Sequence, residues 1–343
     1  MVRTALATLL LVSTLPAHAD IAVTITPERA ALGKRDEVMV NVTLTNTGTA
    51  PERILKARTP FGPAEFPLFE ITRDGQPVRY LGREVKRRVP VEADYLVLAP
   101  GESRSARIEL SRSYDMAATG AYAVRYWSTA RGTVVAAGPS MKTGAIVSNT
   151  ASLFIEGRLP RGTSMPLLAA PAGPGLSYAQ CSNAQQETIA EAVAAGSAMA
   201  ANGLGYLTSG KEQGQRYSNW FGALDAARQA TVNKNFTAIK DAFETKPIKV
   251  DCGCDEDYFA YVYPFQPYTI YVCNAFWTAP MTGTDSKGGT MLHEMSHFDI
   301  VAGTDDHVYG QQGAAEMART APQRAINNAD SHEYFGENTP PLN

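Results

Sequence analysis

The sequence lacks three features that would assign it to familiar classes of protein. It has no basic excess, because its 343 residues carry 31 Lys and Arg against 34 Asp and Glu, a net charge of -3. Since phosphate binding needs a concentrated basic face, no nucleic-acid partner is expected. It has no apolar run of the roughly 20 residues that a membrane-spanning helix needs, so no membrane span is expected. It also has no cysteine before Cys181, which confines any disulfide to the second half.

The first nineteen residues have the pattern of a secretory signal peptide. Arg3 provides the positive charge, residues 6–15 the short apolar stretch, and residues 17–19 the small-residue cleavage pattern. The mature chain is therefore expected to begin near Asp20. The sequence predicts a secreted, extracellular protein.

The cysteines of this exported chain are expected to form disulfides rather than to remain thiols. Because a single residue separates Cys252 from Cys254, these two would pair only with strain. Each is therefore expected to reach outward, one to Cys181 and the other to Cys273. A metal clip at residues 252–254 is the alternative interpretation.

The first half has the pattern of an all-β domain. Short runs of alternating apolar and polar residues, separated by turn residues, are typical of strands. They cover residues 38–44, 66–72, 95–98, 107–110, 121–127 and 151–155. About seven such strands over residues 20–157 predict an immunoglobulin-like β-sandwich.

A stretch rich in Pro, Gly and Ala follows the strands, and residues 158–176 are therefore predicted to be a linker that a protease can cut. The charge changes sign across it. Residues 20–161 carry 20 Lys and Arg and 15 Asp and Glu, whereas residues 162–343 carry 10 and 19. Opposite charges are what a docked prodomain and its enzyme would use, although two solvated surfaces would look the same.

The second half, residues 177–343, has the pattern of an α+β domain. Apolar residues recur at helical spacing over residues 189–206 and 220–243. A small sheet is predicted from residues 248–252, 258–263 and 268–273, ahead of a helix around His293.

The segment at residues 290–298 contains the pattern HExxH. On a helix this spacing places His293 and His297 one turn apart on one face, where both imidazoles can bind a single zinc ion. Glu294 lies next to the first histidine without having to bind the metal. It can take a proton from an attacking water molecule and pass it to the leaving amine.

The third zinc ligand differs between classes of zinc peptidase. A metzincin would have Gly and His where this chain has Ile300 and Gly303, so that class is excluded. A thermolysin-like enzyme would use a Glu from a later helix, for which Glu316 is suitable. After Gly303 lets the chain turn back, there are three nearer candidates: Asp305, Asp306 and His307.

The segment Gly303-Thr304-Asp305-Asp306 resembles the GTxD signature of the deuterolysin (aspzincin) peptidases. Its last residue, Asp306, lies nine residues after the second histidine, His297. The resemblance implies an α+β zincin-like domain with one zinc ion per chain. It implies that Asp306 is the third zinc ligand and that Tyr309 stabilises the oxyanion of the tetrahedral intermediate.

The resemblance covers residues 177–343 and is closest to the peptidyl-lysine metalloendopeptidases. It includes residues 217–222, 259–264, 275–277, 282–286 and 328–335. It implies that Asp330 lies in the pocket for the residue just after the scissile bond, where a carboxylate selects Lys. A role for Asp330 in capping a helix or turn is the alternative. The resemblance also implies that the cysteines pair first with second and third with fourth.

Together these features predict a zinc endopeptidase that cleaves polypeptides before Lys and is inhibited by its own prodomain. No lysine lies between Lys142 and Lys211. Strict cleavage before Lys therefore cannot generate a terminus near residue 170, so we expect that full maturation needs a second protease, at Arg158 or Arg161, or that the specificity is looser. The alternatives are a catalytically inactive binding or adhesion protein, and a broad-specificity enzyme with a permanent accessory sandwich domain.

Overall fold

The computed structural model describes residues 21–62, 66–128, 145–163, 173–209 and 214–342. The predicted signal peptide and the middle of the predicted linker lie outside these residues. Within the described ranges, no helix combines the length and apolar character needed to span a membrane. The described residues contain two large hydrophobic cores, one built from residues 21–155 together with Tyr309 and the other from residues 189–335, and a small third cluster at residues 317–325.

The N-terminal part, residues 21–163, is built from strands whose side chains alternate between buried and exposed, as in β1. The strands are β1 Ile21–Pro27, β2 Ala31–Leu32, β3 Met39–Asn46, β4 Glu52–Leu55, β5 Phe69–Arg73, β6 Gln76–Pro77, β7 Glu84–Lys86, β8 Tyr95–Leu98, β9 Ser103–Glu109, β10 Gly120–Ser128 and β11 Ile146–Ile155.

Most of these strands join a single sheet of eight strands in the order β6-β5-β10-β11-β1-β3-β9, with β2 beside β11. Strands β4 and β8 form a separate pair. The hairpin between β5 and β6 turns at Asp74 and Gly75, both of which have positive φ. The predicted strand-rich character is confirmed, while the immunoglobulin-like arrangement stays a prediction.

The C-terminal part, residues 173–342, combines a small sheet with eight helices among its described residues. The strands are β12 Gly175–Ala179, β13 Pro247–Asp251, β14 Ala260–Val262 and β15 Thr269–Val272. The helices are α1 Asn183–Leu207, α2 Gln215–Phe221, α3 Ala226–Thr245, α4 Asn274–Thr278, α5 Lys287–His297, α6 Gln311–Thr320, α7 Pro322–Ala325 and α8 Ala329–Glu337. Strand β12 begins inside the range predicted as linker.

The prediction of one helix over residues 220–243 was wrong, because two helices cover this range. Helix α2 ends at Phe221 and is followed by Gly222, whose φ of 81° lies in the left-handed region that glycine adopts without strain. Helix α3 then begins after Asp225, whose side chain accepts a hydrogen bond from the Arg228 N–H. The apolar positions on either side of the break resemble a continuous helical pattern because both helices face the same core.

The sheet of the C-terminal part contains one strand from the N-terminal part. Its order is β12-β13-β15-β14-β7, so β7 pairs with β14, which would otherwise be the edge of the sheet. Conversely, one residue of the C-terminal part belongs to the N-terminal core: Tyr309 packs there, with its ring centroid 6.2 Å from that of Phe66. The two parts therefore interlock around β7 and Tyr309.

Two disulfides connect the four cysteines in the pairing that the resemblance implied. Cys181 bonds Cys252, closing a separation of 71 residues, and Cys254 bonds Cys273, closing a separation of 19. Cys181 precedes α1 and Cys252 follows β13. The first disulfide therefore ties the start of the helical layer to the sheet.

We expect the Cys181–Cys252 disulfide to stabilise the fold more than the Cys254–Cys273 disulfide. By chain entropy alone, its longer loop corresponds to about 4 kcal/mol, against about 3 kcal/mol for the shorter one. Replacing each cysteine pair by serines and measuring the free energy of unfolding in urea tests this. Equal losses, or a larger loss for the Cys254→Ser, Cys273→Ser variant, would contradict the prediction.

Candidate metal centre and substrate groove

Helix α5 positions the HExxH pattern. It begins after Ser286, whose hydroxyl accepts a hydrogen bond from the Gly289 N–H at 2.9 Å. The helix then places the rings of His293 and His297 on one face, with centroids 4.8 Å apart. Every residue of α5 is buried, so the sequence folds here into a central helix rather than an amphipathic surface helix.

Asp306 is brought to the same point by the chain that follows α5. Gly303, with φ of 59°, lets the chain reverse after the helix. The Asp306 Oδ1 atom then lies 3.1 Å from His293 Nε2 and 3.5 Å from His297 Nε2. These three side chains form a group that can bind a metal ion.

The other candidates for the third ligand are engaged elsewhere. Asp305 accepts a hydrogen bond from Asn327 Nδ2 at 2.8 Å, and Glu316 pairs with Arg319 on the surface. The His307 ring is hydrogen-bonded to Arg324 through Nδ1 at 3.1 Å. None of the three joins the group formed by the HExxH histidines.

The polar atoms of this group fit a zinc ion. His293 Nε2, His297 Nε2 and Asp306 Oδ1 are all buried and, among the described residues, none has a hydrogen-bond partner. Buried polar atoms without partners are costly unless something binds them. Two imidazole nitrogens and one carboxylate oxygen are a ligand set that leaves the fourth position of tetrahedral zinc open, as in catalytic sites.

Both histidines are oriented through their second ring nitrogen. His297 Nδ1 lies 2.7 Å from the Thr304 carbonyl oxygen, to which it can donate. His293 Nδ1 lies 3.0 Å from Asp330 Oδ1 and 3.1 Å from Glu333 Oε2. Such contacts hold a ligating imidazole in the tautomer that leaves Nε2 free for the metal.

Glu294 lies beside the first histidine of the group on α5. Its carboxylate is fully buried, and neither oxygen has a hydrogen-bond partner in the described part of the chain. Burial raises the pKa of Glu294 to about 8, opposed by the charge of His293. A cation bound by the neighbouring ligands would favour the ionised carboxylate.

Tyr309 lies beside Asp306 and contacts the N-terminal part. Its hydroxyl is 3.2 Å from Asp306 Oδ2 and donates a hydrogen bond to the Val85 carbonyl oxygen at 2.7 Å. The residue is therefore placed where a hydroxyl can donate to the carbonyl oxygen of a peptide bond. That peptide bond, between Val85 and Lys86, belongs to β7.

A group of carboxylates, the acidic pocket, adjoins His293 and surrounds the buried ammonium group of Lys86. The Lys86 Nζ atom lies 2.5 Å from Glu333 Oε2, 3.6 Å from Asp285 Oδ1 and 3.7 Å from Asp330 Oδ1. The ammonium also lies 5.1 Å from the ring centroid of Phe259. Burial would lower the pKa of Lys86, but the three carboxylates raise it well above its usual value, so the side chain is charged.

The sequence indicated one carboxylate of this pocket and missed the nearest. Asp330 lies in the pocket, and its Oδ2 accepts a hydrogen bond from the Gly310 N–H at 2.7 Å. Glu333 contacts the ammonium more closely and follows Asp330 by three residues on α8, a spacing that places both on one helix face. From the sequence alone, this spacing could have indicated that Glu333 belongs to the same pocket as Asp330.

The fold and the site together define the class of the protein, because two histidines, a carboxylate and a free glutamate on this helical framework are characteristic of zinc metallopeptidases. The family model described as lysine-specific metallo-endopeptidase matches residues 206–337.

An extracellular protease of Aeromonas hydrophila is 47% identical over 91% of both chains. A peptidyl-Lys metalloendopeptidase of Armillaria mellea is 35% identical over 89% of this chain and 88% of its own. The solved zinc peptidase from Grifola frondosa is 42% identical over 48% of this chain and all of its own, with a TM-score of 0.46. The chain belongs to the aspzincin family and is a zinc metalloendopeptidase.

Proposed function

We propose that the protein is a secreted endopeptidase, made as an inactive precursor, that hydrolyses peptide bonds on the amino side of lysine. One observation carries the proposal: a buried acidic pocket that holds a lysine ammonium adjoins the metal ligands and Glu294. The groups proposed for catalysis and the groups proposed for lysine recognition are therefore neighbours. The signal pattern at residues 1–19 and the two disulfides support secretion.

In the proposed mechanism His293, His297 and Asp306 bind zinc. When bound, zinc supplies Lewis-acid chemistry to the substrate carbonyl and to water. Glu294 takes a proton from the attacking water and returns it to the leaving nitrogen. The Tyr309 hydroxyl donates a hydrogen bond to the carbonyl oxygen as negative charge develops there.

Lysine preference in this proposal comes from Asp330 and Glu333 together. Two fully buried carboxylates leave little room for water, so a neutral side chain in the pocket would leave their charges unpaired. A long ammonium side chain satisfies both, whereas the larger planar guanidinium of arginine requires more space.

The precursor state is supported by the burial of the whole site. The three proposed ligands and Glu294 are at most 2% exposed, and β7 packs against α5 and contacts Tyr309. In the proposal residues 20–157 are the inhibitory prodomain and residues 158–176 the activation segment. Because this segment has no lysine, a second protease would cut it, for which Arg161 is accessible with a side chain 62% exposed.

Digestion of a denatured protein by the processed enzyme tests the proposed function. Cut sites are read by mass spectrometry, with and without a chelator. Chelator-sensitive cuts before Lys are expected. Absence of cutting by fully processed enzyme would favour the inactive binding protein. Cuts without lysine preference, by an active form that retains residues 20–157, would favour the broad-specificity enzyme with an accessory domain.

Zinc content separates Asp306 from the other ligand candidates. The Asp306→Asn variant should lose most of the expected one zinc per chain, because a neutral amide is a much poorer zinc ligand than a carboxylate. Glu316→Gln and Asp305→Asn are matched controls and should retain it. The metal is measured by mass spectrometry after dialysis. If the Asp306→Asn variant retained its zinc and one of the controls lost it, the residue replaced in that control would be the third ligand.

A further inference from the structure

Strand β7 completes the sheet of the C-terminal part from outside. It pairs antiparallel with β14, with Glu84 opposite Val262 and Lys86 opposite Ala260. The Lys86 carbonyl also accepts a hydrogen bond from the Phe259 N–H at 3.1 Å. An unpaired sheet edge binds an extended peptide by taking it up as an additional strand, and β7 occupies that place on β14.

The position of β7 along this edge places a carbonyl oxygen and the following lysine where a substrate with lysine after the scissile bond would place them in the proposed function. The Val85 carbonyl oxygen accepts from Tyr309 at 2.7 Å, and the next side chain, Lys86, fills the acidic pocket. The Val85–Lys86 peptide bond therefore lies between the hydroxyl proposed to stabilise the oxyanion and the pocket proposed to recognise lysine. A segment that merely covered the site would not need this register.

We propose that β7 keeps the precursor inactive by binding in the substrate groove as a substrate does, with Lys86 as its anchor. The inference rests on the proposed function, since it takes the acidic pocket to be the site that recognises lysine. It assigns the inhibition to one side chain of the N-terminal part rather than to the bulk of the domain.

The charges along the junction favour Lys86 over its neighbours. Lys86 and Glu333 are both fully buried, whereas the pair of Arg83 and Glu256 has side chains 22% and 41% exposed. Exposed pairs contribute little to association, but removing one member of a buried pair leaves the other charge without compensation. Loss of the Lys86 ammonium therefore weakens the junction more than loss of a peripheral charge.

The segments before and after β7 in the sequence both belong to the N-terminal core, which anchors the strand at its two ends. Strand β5 precedes it, β10 follows it, and residues of both belong to the same hydrophobic cluster. Tethering in this way gives the strand a high effective concentration at the groove, so a peptide from solution competes poorly. This explains how one short strand can exclude substrates.

Peptide binding to the uncut precursor tests the inference without relying on hydrolysis. Full-length Glu294→Ala precursor is combined with Lys86→Met, which has similar length but no charge, with Lys86→Arg, or with Arg88→Met. Arg88 is a surface control that pairs with Asp94. The probe is a fluorescent peptide with a central lysine, and its affinity is measured by anisotropy. A second peptide carries methionine in place of that lysine.

We expect Lys86→Met to increase the affinity for the lysine peptide by roughly 100-fold, Arg88→Met to leave it unchanged, and Lys86→Arg to lie between them. Hydrogen exchange provides a second measurement on the same precursors, because the amides of residues 258–263 should lose protection only when β7 is released.

A folded, uncut Lys86→Met precursor that excludes the peptide and retains exchange protection would overturn the inference. Failure of the proposed function gives a different result. In that case Lys86→Met opens the groove, but the lysine and methionine peptides bind equally well. Processed wild-type enzyme that cuts before lysine, together with a Lys86→Met precursor that stays closed, would retain the function and reject the role of Lys86.

Discussion

Replacing Glu294 by Gln in the processed enzyme should reduce kcat/KM by roughly 10²- to 10⁴-fold, the usual contribution of general acid-base catalysis. Gln has the shape of Glu but cannot take up and return a proton. Because the Glu294 oxygens have no partner among the described residues, the substitution breaks no hydrogen bond within that part of the chain. Zinc content and the free energy of unfolding should therefore remain close to those of the parent.

The matched control for this prediction is Glu316→Gln, which removes a carboxylate that pairs with Arg319 at the surface. Both variants are made as precursors, processed by the same added protease, and assayed on one lysine-containing peptide. Glu316→Gln should retain at least about half of the activity. If Glu294→Gln, with zinc bound, lost less than about tenfold, proton transfer would have to be assigned to another group.

The grouping of His293, His297 and Asp306 could be predicted in part, because the relative position of the two histidines depends on local geometry alone. Residues four positions apart, such as His293 and His297, lie on one face of any helix, and α5 is a helix. Counting left Asp305, Asp306 and His307 as alternatives, because the Asp305 and His307 side chains are directed away from the histidines by contacts with Asn327 and Arg324. Those contacts join segments that propensity does not connect, so the resemblance was needed to choose Asp306.

The substrate groove could not be predicted in the same way. Strand β7 has only three residues and pairs with a segment more than 170 positions later, so no periodicity indicates it. Without knowledge of that pairing, nothing in the sequence distinguishes Lys86 from the other basic residues of segment 83–88. Glu333 carried a local signal, its spacing from Asp330, but the pocket becomes apparent only when β7 brings a cation into it.

The Glu333→Gln substitution should convert the processed enzyme from a lysine-selective to a poorly selective peptidase. The ammonium of a substrate lysine would enter a buried pocket that has lost its nearest carboxylate. Removing one partner of a buried pair costs about 3–5 kcal/mol, which corresponds to a decrease of roughly 10²- to 10⁴-fold in kcat/KM for a lysine peptide. A matched peptide with methionine after the scissile bond should change less than about tenfold, because it has no charge to compensate.

Two controls separate lysine recognition from indirect effects. Asp285→Asn removes the carboxylate 3.6 Å from the ammonium, and because this side chain is 38% exposed, the loss should be below about tenfold. Zinc is measured in every variant, since Glu333 also contacts His293 Nδ1 at 3.1 Å and thereby positions a ligand. Equal decreases for the lysine and methionine peptides, or loss of zinc, would place the effect of Glu333 on the metal centre. A decrease restricted to the lysine peptide would establish the pocket as the source of selectivity.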